Sequence, residues 1–157
     1  MTYRTISGDN PTGVTVSASY TGAFVEKSAT IEGNGLDMLG YGRVENYGLI
    51  HAASGDAGVY LSLGGYVLDT SGASISGSVG VKSLAGGSAG GTVNNFGDIA
   101  GSTYGVELLK GGRVTNLGEI TGTSGLGFGD KIGVLSQNGA LVLYNYGGIF
   151  GQRAVNL

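Results

Sequence analysis

The chain of 157 residues has no cysteine, no tryptophan and one proline, and only 12% of its residues are charged. The lack of cysteine excludes disulfides and thiolate metal sites. A formal net charge of -3 provides no basic surface for a phosphate backbone, so we expect no nucleic-acid partner. No apolar run approaches the roughly 18 residues of a membrane-spanning helix, so we expect no transmembrane segment.

The N-terminal residues MTYRTISGDN lack the apolar stretch of a secretory signal peptide, so no export signal is visible in this chain. Disorder is excluded because 41% of the residues are hydrophobic and the net charge is small. Glycine is abundant, at 34 residues, but it has no period of three, which excludes collagen. The composition therefore indicates one folded domain that is unusually rich in glycine.

A nine-residue pattern, V-x-N-x-G-x-I-x-G, recurs along the chain. Its clear copies begin at Val44, Val93, Val114 and Leu143. A looser copy begins at Val67 and carries Asp69 in the Asn place. An earlier copy begins at Val25, and residues 5–8 match the I-x-G end of one more. Internal repeats of this kind indicate a stacked architecture, because a single unit cannot bury its apolar face.

A second pattern, G-V-x-L followed by a glycine pair, alternates with the first. Its seven copies begin at Gly13, Gly35, Gly58, Gly80, Gly105, Gly133 and Ala154. The spacing between copies is unequal, which argues against the strict six-residue period of a left-handed hexapeptide solenoid. A right-handed coil with variable loops accommodates such spacing better.

These patterns predict an all-β fold: a single-stranded, right-handed parallel β-helix (β-solenoid) of about seven rungs, where a rung is one turn of the coil. Apolar residues recur at a spacing of two, as they do in strands. Stacking places each Val or Ile about 4.8 Å from its counterpart, which requires the same residue in every rung. The predicted stacked core consists of Ile31, Val44, Ile50, Val93, Ile99, Val114, Ile120 and Ile149.

The repeated Asn and Gly are expected at sharp corners, because both tolerate a left-handed backbone. Stacked Asn side chains can also form hydrogen bonds from rung to rung. The predicted Asn ladder consists of Asn46, Asn95, Asn116 and Asn145, with Asp69 interrupting it. The next residues form a second row, Tyr47, Phe96, Leu117 and Tyr146. Alternation places this row opposite to Val and Ile, but a corner at the Asn would reset the phase, so the pattern leaves its direction open.

We predict a single solenoid domain over 1–157. An N-terminal rung occupies 1–24 and well-kept repeats occupy 25–157. A protruding loop is expected at 121–131, where the connection between the two halves of the unit varies most.

The combined pattern, V-x-N-x-G-x-I-x-G followed by G-V-x-L-x-x-G-G-x-V, resembles the repeats of bacterial autotransporter passengers and filamentous-haemagglutinin-like surface proteins. The resemblance covers about residues 25–157. It implies a right-handed β-helix, an extracellular or cell-surface location, and a role in adhesion, surface display or matrix building. At 157 residues the chain is much shorter than a typical passenger, and we expect no translocator barrel within it. We therefore expect either a fragment or a protein that works by assembling.

Candidate chemical sites are few. The stretch EGNGLDML (32–39) resembles one calcium-binding nonapeptide, and Asp98 and Glu119 share one phase in consecutive rungs. Calcium near Asp37 or at that acid pair is the alternative to a plain turn and a solvated surface; no other cofactor is expected. The remaining acids do not converge, and His51 alone can neither hold a metal nor activate a nucleophile. We therefore predict no catalytic residue and no enzyme activity.

The leading functional hypothesis is a structural protein whose copies stack head-to-tail into a filament or matrix fibre. No cap is recognisable beside the repeats, and an uncapped solenoid exposes its strand edges. The expected self-association edges are Ile6, Val14, Val155 and Leu157. The alternative is a surface adhesin or glycan-binding module, in which an exposed row drawn from the nine tyrosines binds cell-surface polysaccharide. A carbohydrate-active enzyme is less favoured, because clustered acids are not found.

Overall fold

The computed structural model describes residues 2–84, 90–123 and 130–157. These residues form nineteen β-strands and no helix. The strands pair in parallel from rung to rung, and each rung passes through three faces. The architecture is therefore a parallel β-solenoid, as the repeat predicted.

The first face is a seven-stranded sheet with one strand from each rung, in sequence order. Its strands are β1 (Tyr3–Ile6), β4 (Gly22–Val25), β7 (Gly42–Asn46), β10 (Gly65–Asp69), β12 (Gly91–Asn95), β14 (Gly112–Asn116) and β17 (Leu141–Asn145). Seven strands define seven rungs, with six turns of the chain from the first strand to the last.

The second and third faces share one 12-stranded sheet. The second face contains β2 (Asp9–Asn10), β5 (Thr30–Ile31), β8 (Leu49–His51), β15 (Glu119–Gly122) and β18 (Gly148–Phe150). The third contains β3 (Val14–Val16), β6 (Leu36–Met38), β9 (Ala57–Leu61), β16 (Ile132–Ser136) and β19 (Arg153–Asn156). Two longer strands, β11 (Ser74–Ser83) and β13 (Asp98–Leu108), run through both faces, and their mutual register shifts between Gly77 and Val79.

The core lies between the three faces and consists of stacked columns of similar side chains. On the second face, one column runs through Ile31, Ile50, Ile75, Ile99, Ile120 and Ile149. On the first face, another contains Val44, Val67, Val93 and Val114. All predicted core residues are buried except Ile149, which is half-buried because it lies in the last rung.

The third face is formed by the seven copies of the second pattern, one from each rung. Its central column is Val14, Leu36, Val59, Val81, Val106, Val134 and Val155. The glycine before the column is required where neighbouring backbone comes close. At Gly35, which has a φ of +73°, an added Cβ would lie 2.4 Å from the Ala57 carbonyl oxygen.

The repeated Asn and Gly were expected to adopt a left-handed backbone at corners, and this expectation is wrong for the asparagines. Among the described residues, the only non-glycine with a positive φ is Asn138, so the ladder asparagines do not have a left-handed backbone. The glycine two residues after each ladder position is required by space instead. A Cβ on Gly118 would lie 2.0 Å from the Gly97 carbonyl oxygen in the rung before it.

The predicted phase of the first two rungs is also wrong. Ile6 pairs with Val25, and Val25 pairs with Asn46, so both apolar residues occupy the ladder column. The prediction placed Val25 two residues early and Ile6 on the second face. A shift by an even number of residues, two for Val25 and four for Ile6, keeps the same side chains pointing inward, so the alternation does not reveal the error. The first rung contains β1 to β3, and β4 (Gly22–Val25) already belongs to the second rung. The boundary after the first rung therefore lies before Gly22 and not at 24/25 as predicted.

The predicted loop at 121–131 begins too early. Thr121 and Gly122 belong to β15 and pair with Ala100 and Gly101. Residues 124–129 of the predicted loop lie outside the described part of the chain.

Candidate functional site

A ladder of side-chain amides runs along the corner between the first and second faces. The Asn95 Nδ2 donates to the Asn116 Oδ1 at 2.9 Å and to the Glu119 carbonyl of the next rung at 2.8 Å. The Asn116 Nδ2 repeats this arrangement, donating to the Asn145 Oδ1 at 2.8 Å and to the Gly148 carbonyl at 2.9 Å. The donors of Asn95 and Asn116 therefore both point toward the C-terminal end of the solenoid.

The same amides hold the corner that follows them. The Asn46 Oδ1 accepts from the Gly48 N–H at 3.1 Å, and the Asn95 Oδ1 accepts from the Gly97 N–H at 3.2 Å. Asn46 and Asn95 are fully buried, so losing either amide would leave buried partners without bonds. The predicted ladder thus forms, and it positions the chain as it turns toward the second face.

Asp69 breaks the ladder in the fourth rung. The Asn46 Nδ2 donates to the Asp69 Oδ1 at 2.8 Å, but the buried Oδ2 has no hydrogen-bond partner among the described residues. An ionised carboxylate can only accept hydrogen bonds. The next ladder residue, Asn95, directs its Nδ2 away from Asp69 and donates to Asn116, so it offers Asp69 no donor. Burial is the main cause that raises the pKa of Asp69 to about 7. The Asn46 hydrogen bond lowers the pKa, the charge of Asp98 raises it, and the nearby Asp98 backbone N–H lowers it.

The last rung is the open end of the solenoid. Asn145 is exposed, and its Nδ2 donates to the Gly147 carbonyl at 3.1 Å rather than to a further ladder residue. Inward-facing apolar side chains of this rung are only half-buried: Leu141, Leu143, Ile149 and Val155. Other large apolar side chains here are exposed: Val142, Tyr144, Tyr146, Phe150 and Leu157.

The first rung, in contrast, has buried apolar side chains and a partly capped edge, and we call it closed. Ile6, Val14 and Val16 are buried although they lie in an edge rung. The Arg4 Nη1 donates to the Thr15 carbonyl at 2.5 Å. Val14 and Val16 direct backbone groups to the second rung, so the Thr15 carbonyl between them belongs to the outer edge. Arg4 therefore caps part of this edge, which the sequence did not reveal.

Strand β1 is also tied to later rungs. The Thr2 N–H donates to the Thr21 Oγ1 at 2.8 Å, and the Thr21 N–H donates to the Thr2 carbonyl at 2.9 Å. The Tyr3 hydroxyl donates to the Glu45 Oε1 at 3.4 Å, two rungs away. Burial first, and then the charge of Glu45, raise the pKa of Tyr3.

The four predicted association edges are therefore not equivalent. Ile6 and Val14 are only 4% and 6% exposed, so their side chains offer little surface to a partner. Val155 is half-buried and Leu157 is 84% exposed. The accessible apolar edge lies at the C-terminal rung.

The row beside the Asn ladder faces outward. Tyr47 is half-buried, whereas Phe96, Leu117 and Tyr146 are exposed. The Tyr47 ring packs against Phe24, with centroids 5.0 Å apart. Alternation along the strand thus continues through the Asn, and the corner does not reset the phase.

The acidic residues considered for calcium are arranged as pairs. Asp98 and Glu119 lie in register on neighbouring strands, and the Thr121 Oγ1 donates to the Glu119 Oε1 at 2.9 Å. On the third face, burial first and then the charge of Asp56 raise the pKa of Asp37. The described residues contain no group of three or more His, Cys, Asp or Glu that could hold a metal ion.

The contact between His51 and Ser76 was also missed by the sequence interpretation. The His51 Nδ1 lies 2.8 Å from the Ser76 Oγ, because both residues follow the stacked isoleucine of their rungs. The repeat alignment places them in one phase and could have paired them. Within the described chain, no carboxylate bonds the other His51 nitrogen, so the third member of a catalytic triad is not present there.

No helix in the described residues is long and apolar enough to cross a membrane. The chain matches no known family model, no curated protein and no solved structure.

Proposed function

We propose that this protein is a structural, self-assembling protein of the cell surface or extracellular space, whose copies add head-to-tail at the C-terminal rung. The observation that carries this proposal is the open C-terminal rung, with exposed apolar side chains and an exposed ladder amide on Asn145. Edge strands with unpaired backbone groups and apolar surface favour the addition of further strands. The extracellular location is inferred from the resemblance of the repeat to secreted β-helices.

The two edges have matching geometry. The last rung contributes β17, β18 and β19 to the three faces, and the first rung contributes β1, β2 and β3 to the same faces. A second copy placed on the C-terminal edge would add a strand to each face and would continue the third-face column, with Val14 next to Val155. The ladder column would not continue, because Ile6 rather than an Asn would lie next to Asn145. Such a contact is heterologous, so it propagates unless the rotation closes a ring.

Assembly would require one rearrangement at the first rung. The Arg4 guanidinium must leave the Thr15 carbonyl before a strand can pair there. This hydrogen bond is exposed, and exposed bonds contribute little net stability, about 0.5–1.5 kcal/mol. The closed first rung then slows the joining of copies without preventing it.

The test uses two variants in one strand. Leu143 faces the core of the open rung, whereas Val142 faces outward on the same strand. Leu143→Lys places a charge where the next rung would stack, and Val142→Lys is the matched control. We expect the intact chain and Val142→Lys to form fibres with an axial repeat of about 34 Å, seven rungs at about 4.8 Å, in electron micrographs.

Leu143→Lys should remain monomeric in analytical ultracentrifugation while keeping the circular dichroism spectrum of the parent. An intact chain that stays monomeric at high concentration would contradict the proposal. So would a Leu143→Lys variant that forms fibres with the same repeat.

A surface adhesin is the second candidate function, because the Tyr47 row and other aromatic side chains face outward. In that case the solenoid presents its faces to a glycan and does not need to polymerise. Monomeric particles that bind polysaccharide would favour it over the structural proposal.

A further inference from the structure

The outer surface of the first face carries a groove of about 490 Å³ near the N-terminal rungs. This tyrosine groove is lined by Tyr3, Thr21, Tyr41, Arg43, Glu45 and Tyr66. Its volume lies within the range of small-molecule sites, about 300–1,000 Å³. Only Tyr3 among its lining residues belongs to an end rung, and the rest of the groove lies outside both edges of the solenoid.

The repeat builds the groove through one outward column. Tyr3, Gly22, Arg43 and Tyr66 follow one another in register on β1, β4, β7 and β10. A Cβ on Gly22 would lie 2.6 Å from the Tyr3 ring, so the glycine leaves room for that ring against the sheet. Two large side chains can therefore flank Arg43.

The groove is held in shape by a chain of contacts. The Arg43 Nε lies 2.7 Å from the Glu45 Oε1, which also accepts from the Tyr3 hydroxyl. The Arg43 Cζ lies 4.3 Å from the centroid of the Tyr66 ring, within cation–π range. The Tyr66 hydroxyl accepts from the Asn94 Nδ2 at 2.8 Å. These contacts preorganise the groove and lower the entropic cost of binding.

The charges and the aromatic rim define the ligand class. Arg43 and Glu45 neutralise each other, so the groove has no net charge with which to attract a phosphate or a sulfate. Tyr41 is 62% exposed and presents an aromatic ring at the rim. A tyrosine combines an apolar ring with a polar hydroxyl. A ligand that fits must offer apolar C–H faces and several neutral hydroxyl groups.

We infer that the tyrosine groove binds a pyranose unit of a neutral polysaccharide. One face of the sugar ring packs on Tyr41, and its hydroxyls donate to the Glu45 carboxylate and accept from the Arg43 guanidinium. Hydrogen bonds to charged groups are stronger than neutral ones, which supplies orientation.

The test is isothermal titration of the intact chain with cellohexaose, maltohexaose and mannohexaose, and with hexagalacturonate as the acidic counterpart. We expect at least one neutral hexasaccharide to bind more tightly than hexagalacturonate. Tyr41→Ala should weaken that binding by about tenfold or more, as loss of an exposed aromatic anchor does. Tyr60→Ala, on the third face and outside the groove, is the matched control and should bind like the parent.

Three results would overturn the inference: no neutral hexasaccharide binds, hexagalacturonate is preferred, or Tyr41→Ala binds as tightly as the parent. Sedimentation of Tyr41→Ala separates this inference from the proposed assembly. Fibre formation should persist in that variant because Tyr41 lies between β6 and β7, outside both the first and the last rung.

Discussion

The two end rungs of this solenoid are built from the same repeat, yet their chemistry differs. In the first rung, Arg4 bonds an edge carbonyl and Tyr3 reaches to Glu45. In the last rung, Asn145 has no further ladder partner, and Leu143 is only half-buried. The comparison shows that one side chain outside the repeat, Arg4, can occupy a backbone carbonyl of an edge rung, whereas the repeat residues of the last rung leave theirs accessible.

The ladder shows a similar contrast between the two halves of the molecule. Toward the C-terminal rung, Asn95, Asn116 and Asn145 form an uninterrupted set of amide bonds. Toward the N-terminal rung, the column ends in Val25 and Ile6, which need no hydrogen bond. Asp69 lies between these regions, where amide bonding is incomplete.

The largest expected effect is at this junction. Asp69→Asn supplies an Nδ2 that can donate toward the Asn95 Oδ1 and removes a buried carboxyl. In the parent, the folded pKa of Asp69 is about 7, above the unfolded value of about 3.9. The native state therefore keeps a proton that the unfolded chain releases, and stability falls as the pH rises from about 4 to about 7.

Across this window the parent should lose on the order of 4 kcal/mol, at 1.36 kcal/mol per pKa unit. Asp69→Asn should lose this pH dependence and be more stable than the parent at about pH 8. Urea unfolding at several pH values measures both effects. Asp130→Asn, at an exposed carboxyl, is the control and should keep the slope of the parent. A slope unchanged by Asp69→Asn would show that this carboxyl does not control stability.

The second effect compares an interior ladder residue with an end residue. Asn116→Ala removes a buried amide and leaves its partners unsatisfied, at a cost of about 1–3 kcal/mol. Asn145→Ala, in the exposed last rung, should cost less than Asn116→Ala, because it removes one acceptor of the buried Asn116 Nδ2 but no buried amide of its own. Denaturant unfolding at low protein concentration, where copies stay apart, gives both values. If Asn116→Ala and Asn145→Ala lowered the free energy of unfolding equally, burial between two rungs would not strengthen the ladder hydrogen bonds.

The smallest effect is at the closed end. Arg4→Ala should cost about 0.5–1.5 kcal/mol or less, because it removes one exposed hydrogen bond. It should speed hydrogen exchange of the first-rung amides in residues 14–16 and leave the last rung unchanged. If Arg4 slows assembly, the variant should also form fibres faster in light scattering. Slower fibre formation would indicate that Arg4 takes part in the contact between copies.

Much of the fold could be predicted because each repeated residue occupies a position where stacking from rung to rung requires the same type of side chain. Apolar alternation identifies strands, and stacking requires Ile50, Ile99 and Ile120 to recur in one phase. The Asn ladder was predicted for the same reason. The phase of Ile6 and Val25 was not predicted, because a shift of two or four residues leaves the inward pattern unchanged.

The candidate sites were less accessible to prediction. Contacts such as Arg4 with Thr15, or Tyr3 with Glu45, join positions with no repeated spacing between them. The tyrosine groove depends on a missing side chain at Gly22, whose role appears only when three strands lie side by side.

The sequence by itself determined that this chain is a parallel β-solenoid with an isoleucine column, a valine column and an amide ladder, because stacking imposes one residue type on one phase. Only the tertiary structure decided which edge is open, which way the Tyr47 row faces, and how Asp69 is buried without a partner for its Oδ2. These properties depend on the register between rungs and on side chains that cross from one rung to another, and neither is encoded in the repeat pattern.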